Sequence, residues 1–235
     1  MPLFLTQRNE NLIEWMDRPD CDANLLNNTY HQFTTINRLL SGWESIYKQK
    51  IRPILESTQG VSTILDIGCG GGDIIKYLHQ LCQKDQLNVR FTGIDPDTRS
   101  IQFLSSQKWP ENIQFHAASS AQLVEKNQQF DIVISNHLMH HLDNESLNGL
   151  CRDAEKLSRR LVLFSDIERS DFGYVAFSLF SPLIFRQSYI VSDGQISIKR
   201  SFRKDELQQI LPDGWQVKPK FPFRLLALFE DRIDD

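Results

Sequence analysis

A run of closely spaced glycines follows a short apolar segment and is the clearest sign of a binding site. Ile64–Ile67 has the composition of a buried strand, and Gly68, Gly70 and Gly72 follow it before a helical segment begins at Ile74. Glycines let a backbone approach a ligand closely, and a helix N-terminus presents free N–H groups. The pattern therefore predicts a ligand site in a strand–turn–helix unit.

A carboxylate ends the next β-rich run, at Asp95. An acid at a strand end, about 20 residues past a glycine turn, can accept hydrogen bonds from both ribose hydroxyls of a nucleotide-like cofactor. Pro96 follows it and is expected to pack against the adenine. A dinucleotide motif would place a third glycine where this chain has Asp73, so an NAD-type oxidoreductase is the less favoured alternative.

Polar side chains also follow the fourth and fifth β-rich runs, where open α/β sheets bind ligands. Asn136 and His137 come directly after the fourth run and are expected at the cofactor. His140 and Asp166 are candidate general bases, because each follows a strand that ends at this edge. Arg169 is expected to hold an anionic acceptor or to pair with Asp166, and a local surface ion pair is the alternative.

The β-rich runs alternate with segments long enough for helices, which indicates a parallel sheet covered on both faces. The runs span residues 62–67, 89–95, 113–116, 130–135 and 160–165. Trp215–Val217 and Leu225–Phe229 are two further apolar runs near the end of the chain. The connection between them is too short for a crossover helix, so they are expected to pair antiparallel.

These motifs together resemble the class I S-adenosylmethionine-dependent methyltransferases. The glycine turn with Asp66 resembles the first motif of that family, and residues 130–142 resemble the segment around its fourth strand. The resemblance covers roughly residues 60–166 and 203–230. It implies a Rossmann-like α/β fold with N-terminal helices and a central, mostly parallel seven-stranded sheet that ends in a C-terminal antiparallel hairpin.

The resemblance also implies S-adenosylmethionine as the cofactor. By it, Asp66, Gly68, Gly70 and Gly72 flank the methionine part and the ribose. Ser119 stands where many relatives have the acid that reaches the adenine amino group. Its hydroxyl can still hydrogen-bond the adenine, but a simple turn serine is an equal alternative.

Shorter stretches resemble small-molecule methyltransferases of the quinone-biosynthesis and polyketide-tailoring type. They are Glu14–Asp17, Ile36–Leu40, Ser165–Ser170 and Phe221–Arg224. This resemblance implies O- or C-methylation of a small, aromatic or apolar acceptor. Asn136–Met139 lacks the Asn/Asp-Pro-Pro-aromatic tetrad of relatives that methylate nucleic-acid bases. A non-catalytic protein that binds S-adenosylmethionine remains an alternative.

Residues 1–60 are expected to form an N-terminal helical cap region, because apolar residues between Trp43 and Leu55 recur at helical spacing. Residues 61–235 are expected to form the methyltransferase domain. Within it, residues 167–202 form a lid-like insertion, expected to be a helix followed by a turn or hairpin at Ser192–Gly194. Aromatic residues of both additions are expected to cover the acceptor, namely Trp15, Tyr30, Phe33, Phe177 and Phe180.

Charge and composition limit the classes of binding partner and the cellular location that we expect. The 26 Lys and Arg residues against 30 Asp and Glu residues lack the basic excess that attracts phosphate backbones, so no nucleic-acid partner is expected. The four cysteines are scattered and the N-terminus lacks a secretory pattern, so a cytoplasmic location is expected. The histidines lack a spaced carboxylate, so no metal is expected.

The longest apolar region, Phe172–Phe185, is too short to cross a membrane, which takes about 20 residues, so no stable membrane insertion is expected. Its apolar side chains must nevertheless be covered. Core packing, a homodimer contact, a lid over the acceptor and contact with a membrane surface are the alternatives that stay open.

Overall fold

The computed structural model describes residues 3–230, except for the side chain of Leu39. Seven strands form one sheet in the order β3-β2-β1-β4-β5-β7-β6. The strands are β1 (Ser62–Ile67), β2 (Val89–Asp95), β3 (Ile113–Ala117), β4 (Phe130–Asn136), β5 (Ser158–Ile167), β6 (Gln216–Lys220) and β7 (Arg224–Glu230). Strands β1 to β5 pair in parallel, while β7 pairs antiparallel with both β5 and β6. The predicted fold class, including the C-terminal hairpin, is confirmed.

Ten α-helices are described. They are α1 (Ala23–Leu40), α2 (Trp43–Ile46), α3 (Arg52–Glu56), α4 (Asp73–Lys84), α5 (Thr98–Ser105), α6 (Ser120–Glu125), α7 (Asn144–Leu157), α8 (Asp171–Ile184), α9 (Ile190–Arg200) and α10 (Lys204–Ile210). A π-helical turn, Tyr47–Ile51, joins α2 to α3, and a 3₁₀ turn, Met139–His141, follows β4. Within residues 3–230, none of the helices is both long and apolar enough to cross a membrane.

Two hydrophobic clusters lie on opposite faces of the sheet, which explains why the central strands carry apolar residues on both faces. On β1, Ile64 belongs to one cluster and Leu65 to the other. On β4, Ile132 and Val133 divide in the same way. Successive side chains of a strand point to opposite faces, so both faces of these strands are buried.

The N-terminal helices are part of the first of these clusters. Tyr30 of α1 and Trp43 of α2 are buried in the same cluster as Ile64 of the sheet. Gly42 adopts φ +67° between the two helices, which lets the chain change direction there. The helices predicted within residues 1–60 are therefore joined to the sheet through one continuous core.

The insertion differs from its predicted form. Ser192–Gly194 lies inside α9 and makes neither a turn nor a hairpin, so that prediction is wrong. The Asp193 carboxylate accepts hydrogen bonds from the backbone N–H groups of Trp15 and Met16, at 2.8 and 2.9 Å. A Cβ at Gly194 would lie 2.3 Å from the ring of Phe177, so glycine allows α8 and α9 to pack closely. Both residues serve tertiary contacts that local turn propensity does not reveal.

Candidate functional site

A cavity of about 640 Å³ lies at the carboxyl edge of the sheet, beneath helices α1, α8 and α9. Most residues predicted to bind a cofactor line it: Asp66, Gly68, Gly70, Asp95, Pro96, Asn136 and His137, together with His140. Gly72, Ser119 and Asp166 are not part of its lining. The sequence motifs therefore converge on one space, with three exceptions that have local explanations.

The glycine turn presents backbone to this cavity. Gly68 and Gly70 adopt φ +72° and φ +50°, a region that favours glycine. The N–H of Gly68 donates to the carbonyl of Ile94 at 2.8 Å, which holds the turn against β2. A Cβ added at Gly70 would meet nothing within 4 Å. The backbone at Gly70 therefore faces open space that a ligand can fill.

Asp95 is fixed at the wall of the cavity. One carboxylate oxygen accepts from the N–H of Gly70 and the other from the N–H of Asp97, both at 2.9 Å. Burial raises the pKa of Asp95 above its usual value. Each carboxylate oxygen can accept more than one hydrogen bond. Asp95 is therefore positioned to accept further bonds from ligand hydroxyls.

Asp66 is a buried acid with an unused oxygen. Its side chain lies under the glycine turn, the residue is only 2% exposed, and its Oδ1 has no hydrogen-bond partner among residues 3–230. Burial raises the pKa of Asp66 well above its usual value, and the nearby Asp73 adds to this effect. An unpartnered buried acid is costly, and a cationic ligand group would compensate it.

Gly72 and Ser119 have roles away from the cavity. A Cβ at Gly72 would lie 2.8 Å from Leu104, so this glycine permits close packing of the turn on α5. Ser119 caps α6: its hydroxyl accepts from the N–H of Gln122, whose side chain accepts from the N–H of Ser119. The structure thus favours the turn-serine alternative over an adenine contact at Ser119.

A polar network crosses the ends of β4 and β5. Arg224, the first residue of β7, donates to Oδ1 of Asn136 and to Nε2 of His137, each at 2.7 Å. Because the guanidinium can only donate, Nε2 of His137 must be unprotonated. Burial, reinforced by Arg224, lowers the pKa of His137 well below its usual value. His137 is therefore a neutral imidazole in this arrangement, held at the unusual φ of +60°.

His140 lies between two buried carboxylates. Its Nδ1 is 2.7 Å from Oδ1 of Asp166 and its Nε2 is 3.2 Å from Oε1 of Glu14. Burial alone would lower the pKa of an imidazole, but the two carboxylates outweigh it and raise the pKa of His140 to about 9. A doubly protonated ring satisfies both acids and has no lone pair left to accept a proton. The geometry thus argues against the predicted base role of His140.

Asp166 is likewise occupied. Its oxygens accept from the ring and the backbone N–H of His140 and from the N–H of Ile167, at 2.7 to 2.9 Å. Burial would raise its pKa, but the charge of His140 outweighs burial and holds the pKa of Asp166 well below its usual range. Since Asp166 does not line the cavity, it can position His140 but has no direct access to an acceptor.

Atoms of Glu14, His140 and His141 that could bind a metal lie within 4.8 Å of one another. Nδ1 of His141 is 3.1 Å from Asp17, and its Nε2 is 3.7 Å from Glu14. With His140 protonated on both nitrogens, its ring has no lone pair left for a metal, which leaves this group one ligand short.

Arg169 takes neither predicted role. It is buried, and both of its Nη atoms contact the carboxylate of Glu206 in α10. It also donates to the carbonyls of Leu5 and Ser201. The prediction that Arg169 pairs with Asp166 or holds an acceptor is wrong, because a distant carboxylate and two carbonyls use its donors.

Aromatic side chains of α1 and α8 also line the cavity. Tyr30 and Phe33 of α1 line it, with Phe177 and Phe180 of α8. Trp15 does not; the Arg18 guanidinium lies 4.0 Å from its ring instead. The outer face of α8 carries further exposed apolar side chains: Phe172, Val175, Leu179 and Leu183. One cavity therefore combines a polar backbone-lined wall with an aromatic wall.

Comparisons with known proteins agree with this architecture. Residues 64–160 match a family model described as a methyltransferase domain. The mitochondrial ubiquinone biosynthesis O-methyltransferase of Rattus norvegicus is 26% identical over 163 residues, which are 66% of this chain and 44% of that protein. The chain thus spans less than half the length of this curated relative.

Solved structures share the fold at low identity. The plantazolicin methyltransferase BpumL in complex with S-adenosylhomocysteine (SAH) has a TM-score of 0.64 and 16% identity, with 93% of each chain covered. An O-methyltransferase family protein from Burkholderia thailandensis has a TM-score of 0.56 and 11% identity, covering 86% of this chain and 57% of that one. These similarities establish the fold, and the residues of the cavity must supply the chemistry.

Proposed function

We propose that this chain, which belongs to the class I S-adenosylmethionine-dependent methyltransferase family, transfers a methyl group to a small, aromatic or apolar acceptor. The observation that carries this proposal is a cavity lined both by the glycine turn with Asp95 and by aromatic side chains of α1 and α8. The O-methyltransferase relative favours oxygen as the methylated atom, and carbon is the alternative.

The residues of the polar wall fit the cofactor. Asp95 has acceptor capacity for the two ribose hydroxyls, and the open space at Gly70 admits the ligand against the backbone. The orphaned oxygen of Asp66 complements the cationic methionine part. When bound, S-adenosylmethionine supplies a methyl group on a positively charged sulfonium, which a nucleophile can attack in line.

The polar wall fits a dinucleotide poorly. In dinucleotide sites the pyrophosphate lies at the N-terminus of the helix that follows the glycine turn. Here the first residue of α4 is Asp73, a buried acid that accepts from Nδ2 of Asn37 at 2.8 Å. Burial raises the pKa of Asp73 to about 6, so near neutral pH a negative charge remains where a pyrophosphate would bind. This arrangement disfavours the NAD-type alternative.

The chain's contribution to the reaction is positioning. His140 and His137 both line the cavity. The two ring nitrogens of His140 contact the carboxylates of Asp166 and Glu14, and Nε2 of His137 accepts from Arg224. Methyl transfer needs a base only when the acceptor must lose a proton. Orientation of the acceptor and exclusion of water by the apolar wall can supply most of the acceleration.

The acceptor side is proposed to be a lid built from residues 1–60 and 167–202. Asp193 of α9 binds the backbone of Trp15 and Met16, so the N-terminal segment and the insertion are linked directly. Both segments contribute aromatic side chains to the cavity wall. Specificity for the acceptor should therefore reside in these two segments rather than in the sheet.

Calorimetric titration with SAH and with NAD tests the cofactor. Saturable binding of SAH without binding of NAD is expected, and the reverse result would overturn the proposal. Incubation of S-adenosylmethionine with phenols, quinols and hydroxypyrones, followed by mass spectrometry, then tests methyl transfer. SAH binding with no methylated product in any class would support the non-catalytic alternative.

A further inference from the structure

We propose that Arg224 binds an anionic oxygen of the acceptor, which narrows the acceptor to ionised carboxylic acids, phenols or enols. The inference rests on the proposed methyl transfer and specifies, in addition, that the acceptor is negatively charged. Arg224 is only 4% exposed, yet it lines the cavity. Its neighbours determine what its charge can bind.

The guanidinium is held in a fixed orientation at the end of the sheet. Arg224 lies opposite Ile167 in the β5–β7 pair, and its side chain reaches across β5 to β4. Nε and Nη2 both donate to the hydroxyl of Ser165, at 3.2 and 2.8 Å. Nη2 also donates to Asn136, and Nη1 donates to His137. Arg224 is therefore preorganised before any acceptor arrives.

None of these three partners carries a charge. Asp166 acts on Arg224 through space, but its oxygens accept from His140 and Ile167 instead. No carboxylate oxygen among residues 3–230 lies within ion-pair distance of this guanidinium. One of the two N–H groups on Nη1 also has no acceptor within that part of the chain. A directional donor and a positive charge thus remain available at the cavity wall.

A buried cation without a contacting anion is costly, and the cost falls when a ligand supplies the negative charge. The planar guanidinium suits carboxylate and phenolate oxygens. An ionised acceptor also agrees with the engagement of His137, His140 and Asp166 in other contacts, since it needs no base. Its oxygen attacks the methyl carbon while the carbon–sulfur bond breaks and the bonding electrons return to sulfur, so both charges are neutralised and no proton moves.

Arg169, which the sequence suggested for this role, cannot fill it because Glu206 already neutralises its charge. Arg224 also lies on β7, beside β5, rather than in the glycine turn. We therefore infer that the anion that Arg224 binds belongs to the acceptor. Binding of Arg224 to the carboxylate of the cofactor is the alternative that the test must distinguish.

The test compares 1-naphthoate with its neutral analogue 1-naphthamide as probes of the SAH-loaded protein, by calorimetry. The variants are Arg224→Met, which removes the charge, and Arg224→Lys, which keeps it. Arg159→Met is the control, because Arg159 is exposed and does not line the cavity. Arg224→Gln replaces the Met variant if that variant does not fold.

The native protein is expected to bind naphthoate at least about tenfold more tightly than naphthamide, as a charge-assisted hydrogen bond predicts. Arg224→Met should abolish the preference and leave the naphthamide affinity unchanged, while the Lys variant keeps part of it. The control should behave like the native protein.

Three results would overturn the assignment. In the first, the native protein binds no naphthoate or shows no preference for it over naphthamide. In the second, Arg224→Met keeps the preference unchanged. In the third, Arg224→Met loses as much affinity for SAH as it loses for naphthoate. The last result would mean that Arg224 binds the carboxylate of the cofactor rather than the acceptor. Failure of the native protein to bind SAH would instead overturn the proposed function.

Discussion

His140 and Asp166 are joined twice, because the Asp166 carboxylate accepts from both the ring and the backbone N–H of His140, at 2.7 and 2.9 Å. This pair links the turn after β4 to the end of β5. Glu14 on the opposite side of the ring extends the link to the N-terminal segment. The ring therefore serves as a buried cross-link at the base of the cavity, and its protonation should control the stability of that region.

The first prediction concerns stability at alkaline pH. The pKa of His140 is raised to about 9 in the fold, above the usual 6.5 of an unfolded chain. Its stabilising contribution is thus complete below pH 6.5 and is lost as the pH rises through 9. Urea denaturation should show a free energy of unfolding that falls between pH 7 and 10.

The control for this prediction is His140→Gln, which cannot titrate. The variant should be less stable than the native protein at pH 7, and the difference between the two should shrink toward pH 10. A constant difference across this range would show that His140 is not protonated in the fold.

The second prediction concerns Gly70. Gly70→Ala should lose some stability, because φ +50° favours glycine, but it should still fold, since its Cβ meets no protein atom. It should bind SAH at least about tenfold more weakly because the methyl group occupies ligand space. Gly60→Ala is a matched control: Gly60 also has positive φ and open space, but it does not line the cavity. Equal SAH affinities for the two folded variants, measured by calorimetry, would place the cofactor elsewhere.

The third prediction concerns Asp95. Asp95→Ala should weaken SAH binding by about 10- to 150-fold, because hydrogen bonds to a charged acceptor contribute roughly 1.5–3 kcal/mol. Asp153→Ala removes a carboxylate that binds only Ser120 outside the cavity and should not change the affinity. An unchanged affinity in a folded Asp95→Ala protein would remove this residue from the site.

The parts of the fold that depend on local pattern could be predicted from the sequence. The strands and the glycine turn follow from apolar runs and glycine spacing, and the structure places them within a few residues of the expected positions. Ser119, for which an adenine contact and a turn role were equal alternatives, also carries a local signal. Its capping partner, Gln122, lies three residues further on, a spacing typical of a helix start.

The contacts that define the acceptor side could not be predicted in this way, because they join residues far apart in sequence. Glu14 and His140 are 126 positions apart, and Arg169, which lies between β5 and α8, pairs with Glu206 of α10. Arg224 gave one usable signal, a single cation directly before the apolar run Leu225–Phe229. Its neutral partners, however, become evident only when β7 is placed beside β5.

The last prediction concerns the aromatic wall. Phe180 lines the cavity although it is 62% exposed, so its ring has little to hold it except a ligand. Phe180→Ala should therefore leave the free energy of unfolding and the SAH affinity nearly unchanged. It should weaken binding of 1-naphthoate and 1-naphthamide alike, by about tenfold, because the lost contact is apolar and does not depend on charge.

Phe172 provides the matched control, since it lies on the same helix, is 73% exposed and is absent from the cavity wall. Phe172→Ala should retain native affinity for both probes. Equal weakening by the two substitutions would indicate a general effect on α8 rather than contact with the acceptor. If Phe180→Ala loses the preference for naphthoate, the aromatic wall orients the anion. If the affinity for both probes falls equally, α8 recognises the shape of the acceptor and Arg224 recognises its charge.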